Sequence, residues 1–529
     1  MSDALAADLK SAETVPPEPQ ASAYSWYVLG VLVVLYFLNF VDRQILSILA
    51  NDIKADLHLS DADLGFLYGT AFAVFYALFG LPLGRLADSW HRVRLISIGL
   101  ALWSTMTTLS GFARTGTMLS VARIGVGVGE ATASPSAYSL IADWFPQRMR
   151  ATALAIYASG LYLGGGFSLV IGGLVVQRWN AAYPAGGPLG LHGWQAAFLV
   201  VGIPGLFMAL WTLTLREPVR GAMDGIPTPT SATPFRNFFA ELINVVPPLT
   251  LIGAFMRGPR AVAINLAGAA AIAVIAWLMI RLTGNREQFI FIGAGYYAVF
   301  SWAHSLKARD LPMFKLIWGS PAFLCTILAY GFATMVSYAT SYWAAPYAER
   351  VFHIGKTELG MLVGGVGAIA GFIGVIGGGW LADRAYLRHP AGRHFVALFG
   401  IVAPLAPHII AYTTNDVTTF YVASAISGVL APMALGASAA ASQSLVLPRM
   451  RGTATATFFL ATTLIGLGLG PFMAGYVSAI NGDNLAIGVL STLTALVPAT
   501  IAVLLAIWLY PRAAATVRER AAAAGEVFA

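Results

Sequence analysis

Four ionisable residues lie inside long apolar runs: Asp42 and Arg43 in NFVDRQ, residues 39–44, and Arg123 and Glu130 in ARIGVGVGE, residues 122–130. A charge near the middle of a bilayer costs at least ~2.5 kcal/mol, so such groups pair or face a hollow. Asn39, Asp42 and Arg43, at i, i+3 and i+4, can share one helix face with Tyr36 nearby. Arg123 and Glu130 are seven apart, on one face and about two turns, or ~10 Å, from each other along the axis. If the first apolar run rises from one surface near Trp26 and the fourth descends from the other near Gly116, Asp42 and Arg123 reach similar heights in a core about 30 Å thick. Asp42, Arg43 and Arg123 are therefore expected to cluster, with Glu130 a step deeper. Ionised, the set of four is neutral. Protonating an acid leaves positive charge able to receive an anion, so Asp42 and Glu130 are candidate proton sites. Arg43 and Arg123, with Tyr36 and Asn39, are candidate anion contacts. The bland alternative is a static ion pair that fixes helix packing.

The elements that must position these groups are membrane spans. Of 529 residues, 58% are hydrophobic and 10% charged, against about 25% charged in soluble domains. Runs of about 20 apolar residues fall at 26–50, 62–83, 95–113, 116–140, 151–176 and 194–214, then at 322–346, 358–380, 394–413, 417–445, 453–478 and 485–510. The two sets repeat each other. DLGFLYG, 63–69, answers ELGMLVG, which ends at Gly364, and GRLAD, 84–88, answers GWLAD, 379–383. Gly65, Gly69, Gly84 and Asp88 map onto Gly360, Gly364, Gly379 and Asp383 at one constant offset, and RMRATA, 148–153, answers RMRGTA, 449–454. That pattern indicates a duplicated six-helix unit, a common transporter design. The fold class expected is all-α and polytopic: bundles at 24–215 and 322–511, a disordered tail at 1–23, a central linker at 216–321 and a C-terminal tail at 512–529.

The linker opens with REPVRG and the Pro/Thr-rich IPTPTSATP, then carries two more apolar runs, 261–280 and 288–304. Arg257 and Arg260 before the first, and Lys307, Arg309 and Lys315 after the second, suit a membrane hairpin returning to its own side. That makes fourteen spans. A re-entrant or in-plane hairpin competes, because the second run is short. Arginines concentrate after the second, fourth, eighth and tenth runs, which places both termini in the cytoplasm. The net charge of +7 follows from the same bias and calls for no nucleic-acid partner. No basic start or apolar stretch opens the chain as a cleavable signal would. A lone cysteine, Cys325, excludes disulfides and cysteine-rich metal sites. The expected setting is a multi-pass plasma (inner) membrane, as a monomer in the lipid bilayer.

The loop GRLADSWHRVR, 84–94, resembles that between the second and third helices of the major facilitator superfamily. Gly84, Asp88 and Arg92 match its pattern; Ser89 and His91 depart from it, and GWLADR at 379–384 restores the arginine as Arg384. The resemblance implies a latch in which Asp88 caps the start of the eleventh helix and Asp143 holds Arg92. Arg150, Gly379, Asp383, Arg384 and Arg451 are the further gating candidates, by the repeat. NFVDR, together with RIGVGVGEATASPSAYSLIADWFPQRMRATALAIYASG, LGFLYGTAFAVFYALFGLPLGRLAD and REPVRG, is similar to the spinster family of that superfamily. This implies a secondary transporter moving amphiphilic lipids such as lysophospholipids or sphingoid phosphates, proton-linked and needing no cofactor beyond a proton gradient. Anion–cation symporters share the same two motifs, so small organic anions are the alternative substrate, and a non-transporting lipid sensor is a second alternative. An enzyme is not expected: the eight histidines are scattered, with no HExxH, and no GxxxxGK[ST] loop marks an ATP-driven pump. Away from their loop ends, the spans of the second half hold no Asp, Glu, Lys or Arg, and His408 is the one imidazole there. Tyr338, Tyr342 and Trp343 are there the expected contacts for a greasy substrate.

Overall fold

The structure is a computed structural model that describes residues 20–184, 186–221, 223 and 231–527. Expectations about the tail before residue 20, and about most of IPTPTSATP, lie outside the described residues. Among the described residues every regular element is helical, as a chain in lipid requires when each backbone N–H must find its partner within its own segment.

The first bundle comprises α1 (Ala23–Leu57), α2 (Asp61–Ser89), α3 (Arg92–Ser110), α4 in two pieces (Gly116–Glu130 and Ala133–Trp144), α5 (Gln147–Ala182) and α6 (Gly193–Leu213). The insertion adds α7 (Pro234–Val245), α8 (Thr250–Met256), α9 (Pro259–Thr283), α10 (Arg286–Arg309) and α11 (Leu311–Ile317). The second bundle is α12 (Pro321–Phe352), α13 (Lys356–Arg388), α14 (Gly392–Thr413), α15 (Val417–Gln443), α16 (Pro448–Ile480) and α17 (Leu485–Ala515), with α18 (Val517–Ala523) after it. Thirteen of these are long and apolar enough to cross a membrane. α4 completes the first bundle but is broken at Ala131–Thr132, just ahead of Pro135. The internal repeat extends to these irregularities. α15 breaks at Ala431–Pro432 as α4 does at Ala131–Thr132, and α13 widens to a π-turn at Gly360–Gly365 where its counterpart α2 breaks at Gly69.

The hairpin is present as two full helices, longer than the expected 261–280 and 288–304. At 24 residues, α10 measures about 36 Å, long enough to cross a core about 30 Å thick. Polar Gln288 and Ser301, within the 288–304 run, are buried against protein rather than lipid. α7 and α8 were not expected. They meet at 99°, and each is too short to cross a core about 30 Å thick.

Both ends of the described chain lie at one end of the molecule, here the terminal face. Tyr24 and Trp26, at the start of α1, pack on Trp144 and Phe145 at the end of α4. In the second half Arg449 ties Asp310 (2.7 Å) to Glu526 of the tail. Hydrogen bonds from that guanidinium hold both carboxylates below their usual range.

Candidate functional site

The glycines of α4 bring the charges together. A side chain at Gly127 would lie 2.7 Å from the Phe72 carbonyl of α2, and one at Gly129 would lie 2.8 Å from backbone atoms of Gly99 and Trp103 in α3. Only glycine allows these approaches. They carry Arg123 and Glu130 into the middle of the first bundle, each 1% exposed.

There the Arg43 guanidinium meets Glu130, with Nη2–Oε2 at 2.5 Å and Nε–Oε2 at 3.2 Å. Aromatic faces surround it: Phe72 at 4.5 Å, Phe40 at 4.8 Å and Tyr76 at 5.4 Å. Arg123 lies one layer behind, 5.5 Å from the Phe72 ring, and its Nη1 donates to the Asp42 carbonyl oxygen at 3.3 Å. All four charges occupy one interior region, but the expected grouping is corrected. Arg43 pairs with Glu130. The Asp42 carboxylate turns instead toward Thr107 and Trp103 of α3, close to Arg123. Consecutive helical residues point 100° apart, so Asp42 and Arg43 cannot aim at one target.

Next to Arg43 a cavity of about 380 Å³ opens between the bundles. Among the described residues lining it, Arg43 is the one arginine, lysine, aspartate or glutamate; the rest are mostly aromatic, small or hydroxyl-bearing, with His408 at the far wall. Tyr338 lines it, as expected. Tyr36 and Asn39 do not: Tyr36 stacks on Tyr157 at 4.3 Å, and Asn39 is buried beside Glu130. Tyr342 and Trp343 are also displaced from the expected role. Tyr342 stacks on Tyr68 at 4.2 Å, and the Trp343 indole donates to the Pro471 carbonyl at 2.9 Å, so both are packed into the join between bundles. Gln44 was missed. Its Nε2 reaches the Ser341 carbonyl across the seam at 2.9 Å, while Tyr68 donates to its Oε1 at 2.7 Å. A polar stripe at Ser337, Thr340 and Ser341, spaced i, i+3, i+4, was the signal available for that wall.

The bundles are clamped at the end opposite the termini. Asp61, whose side chain is fully buried, accepts both Arg350 guanidinium nitrogens at 2.8 Å, Lys54 at 2.9 Å and the Ser478 hydroxyl at 2.7 Å. Asn51 joins Glu349 at 2.6 Å, and Lys356 joins Asp52 at 2.7 Å.

The latch residues at the terminal face stay within their own halves. Asp88 has Arg220, Arg85 and Arg92 as charged neighbours, not the start of α16. Among the described residues Asp383 reaches only Arg393, at 3.4 Å, and is largely exposed, while Arg384 lies over Trp380 at 4.0 Å. Gly84 and Gly379 have room for a side chain, Arg150 donates to the Phe145 carbonyl, and Arg451 is exposed. With the opposite face clamped, the two halves are not drawn together here, so the expected contact to the eleventh span is absent among the described residues. Arg92 does hold Asp143, and it also holds Glu217 of REPVRG at 2.7 Å and Ser139 at 2.8 Å. Arg220 from the same strap caps the end of α2 through the Ala87 and Trp90 carbonyls.

A family model described as Major Facilitator Superfamily matches residues 32–471. The chain is 26% identical over 461 residues to an MFS-type efflux pump of Mycolicibacterium smegmatis, covering 87% of this chain and 86% of that one. It is 28% identical over 200 residues to Protein spinster of Drosophila melanogaster, covering 38% and 31%. It is 30% identical over 216 residues to a probable galactarate/D-glucarate transporter of Bacillus subtilis, covering 40% and 44%. The fold is similar to the crystal structure of a bacterial homologue of the human lysosomal transporter Spinster in an inward-facing, unoccupied conformation. The TM-score is 0.67 at 26% identity, covering 94% of this chain and 98% of that one.

Proposed function

Because this chain belongs to the Major Facilitator Superfamily, as a transporter of the spinster type, we propose that it moves an amphiphilic anion, such as a lysophospholipid, coupled to protons. The observation that carries the reading is Arg43, held by Glu130 at the wall of a cavity whose described lining has no other arginine or lysine and no aspartate or glutamate. An anionic headgroup is drawn to that guanidinium and competes with Glu130 for it. The aromatic and small residues opposite suit the apolar part of the same molecule. The termini face the cytoplasm of an inner membrane, by the distribution of arginines. With the far face clamped, the cavity then serves the cytoplasmic side in this state. Asp42 and Glu130 are the proton sites, and Asp42, facing Thr107 beside Arg123, exchanges its proton as the Arg43–Glu130 pair opens.

A relative named for galactarate and D-glucarate favours one second reading, a small organic anion at the same arginine. Thermal stabilisation of the purified protein separates the two. A lysophospholipid with a phosphate headgroup is expected to raise the melting temperature several degrees at 100 times its Kd, where bound-state linkage supplies about 2.7 kcal/mol. Glucarate is expected to leave it unmoved. Stabilisation by glucarate alone would replace the lipid reading with the second one.

A further inference from the structure

Two bundles leave two lateral seams, α2 against α16 and α5 against α13. Nearer the clamped face both are shut by backbone-close contacts: Gly65 and Gly69 on Pro471 and Leu467 at one, Gly360 and Gly364 on Leu169 and Gly166 at the other. Toward the terminal face they differ. At the first, α10 of the insertion lies in the groove, with Gly295 against Val74 of α2 and Leu464 of α16. Val74, Ala77, Ile292, Ala298 and Leu464 are buried there in one apolar cluster.

A polar contact pins the same place. The Thr70 hydroxyl lies 2.6 Å from Gln288 Oε1 and 2.5 Å from the Gly468 carbonyl, and Gln288 Nε2 donates to that carbonyl at 3.2 Å. Its three members come from α2, α10 and α16. A buried amide is costly unless bonded, so Gln288 registers α10 on the seam. α9, by contrast, has Val274, Ile275 and Trp277 more than half exposed and packs chiefly on α10 and the short α8. At the second seam no inserted helix is present among the described residues; the Tyr162 ring of α5 lies against Gly371 of α13 across it. Leu362 and Val366 of α13 line the cavity and are still 37% and 38% exposed, and Gly165 and Gly367 face open space.

We propose that the inserted hairpin is a fixed side wall, sealing the α2/α16 seam from lipid and leaving α5/α13 as the lateral route into the cavity. The seal stands on packing alone. That an amphiphile uses the remaining route rests on the proposed function.

The test places single cysteines in a Cys325→Ser background, in proteoliposomes, and labels them with a maleimide dissolved in the bilayer. Val74→Cys lies under α10, Tyr162→Cys lines the α5/α13 gap, and Ile369→Cys, at a position 64% exposed, is the lipid-facing reference. Tyr162→Cys is expected to react at a rate near the reference, and Val74→Cys about tenfold slower or more, as close packing excludes the reagent. Val74→Cys reacting as fast as Ile369→Cys overturns the seal. Tyr162→Cys reacting as slowly as Val74→Cys overturns the route. A lysophospholipid that fails to slow Tyr162→Cys, with the Val74/Ile369 contrast intact, sinks the amphiphile reading and leaves the seal standing.

Discussion

Arg43→Ala is expected to abolish transport, and a second substitution distinguishes a working group from a structural one. The guanidinium supplies the positive charge of the cavity wall and neutralises Glu130 at 2.5 Å. Removing one member of a buried pair leaves the other uncompensated, at a cost of ~3–5 kcal/mol. The single variant is therefore expected to be both inactive and less stable. Adding Glu130→Gln removes the orphaned carboxylate while keeping its shape. The double variant is expected to regain most of the lost thermal stability yet remain at least about a hundredfold below wild type in uptake, because the charge that binds the anion and one of the two proposed proton sites are both missing. Uptake that returns together with stability would make the pair a packing device, the alternative left open by spacing alone.

Arg350→Ala is expected to release the clamp opposite the termini. The residue gives Asp61 two bonds of 2.8 Å and Asn51 a third of 2.7 Å, all across the seam. Its side chain is 23% exposed, so the full buried-pair cost does not apply. Water also solvates Asp61 once the face opens. A differential of about 2 kcal/mol remains, shifting the two-state balance about thirtyfold toward opening at that face. Ser47, whose hydroxyl donates to the Tyr342 carbonyl at 2.6 Å and which is 1% exposed, reports the change. As Ser47→Cys in the Cys325→Ser background, it is expected to react with an impermeant thiol reagent at least tenfold faster when Arg350→Ala is added. An unchanged rate would mean that the Asp61 network does not hold the closed face.

Much of this architecture is legible in the chain. Long apolar runs must be helices in lipid, and the constant offset from Gly65–Asp88 to Gly360–Asp383 exposes the duplication directly. The basic residues flanking 261–304 are enough to place a hairpin. The charge cluster is legible as a neighbourhood, because heights along two helices can be counted, but its pairing is not. That depends on rotation about the helix axis, which separates Asp42 from Arg43, and on the glycines of α4 that set how far Glu130 enters. Asp61 and Arg350 look like ordinary loop charges, since only the arrangement of the two halves brings them together. Tyr342 and Trp343 mislead for the same reason: rotation about the helix axis decides whether an aromatic on a cavity-facing helix lines the cavity or, as both do here, seals the join. REPVRG marked the family, but its Glu217 and Arg220 show their work only when the strap is seen binding Arg92 and capping α2.

The most direct test of the account is proton movement driven by substrate in proteoliposomes containing a trapped pH dye, comparing wild type with Asp42→Asn. Wild-type protein is expected to change the internal pH when a phosphate-headed lysophospholipid is added. Asp42→Asn is expected to bind the lipid with unchanged thermal stabilisation but give no pH signal. Transport by Asp42→Asn at the wild-type rate, with the same pH dependence, would contradict the claim that this buried cluster links the two movements.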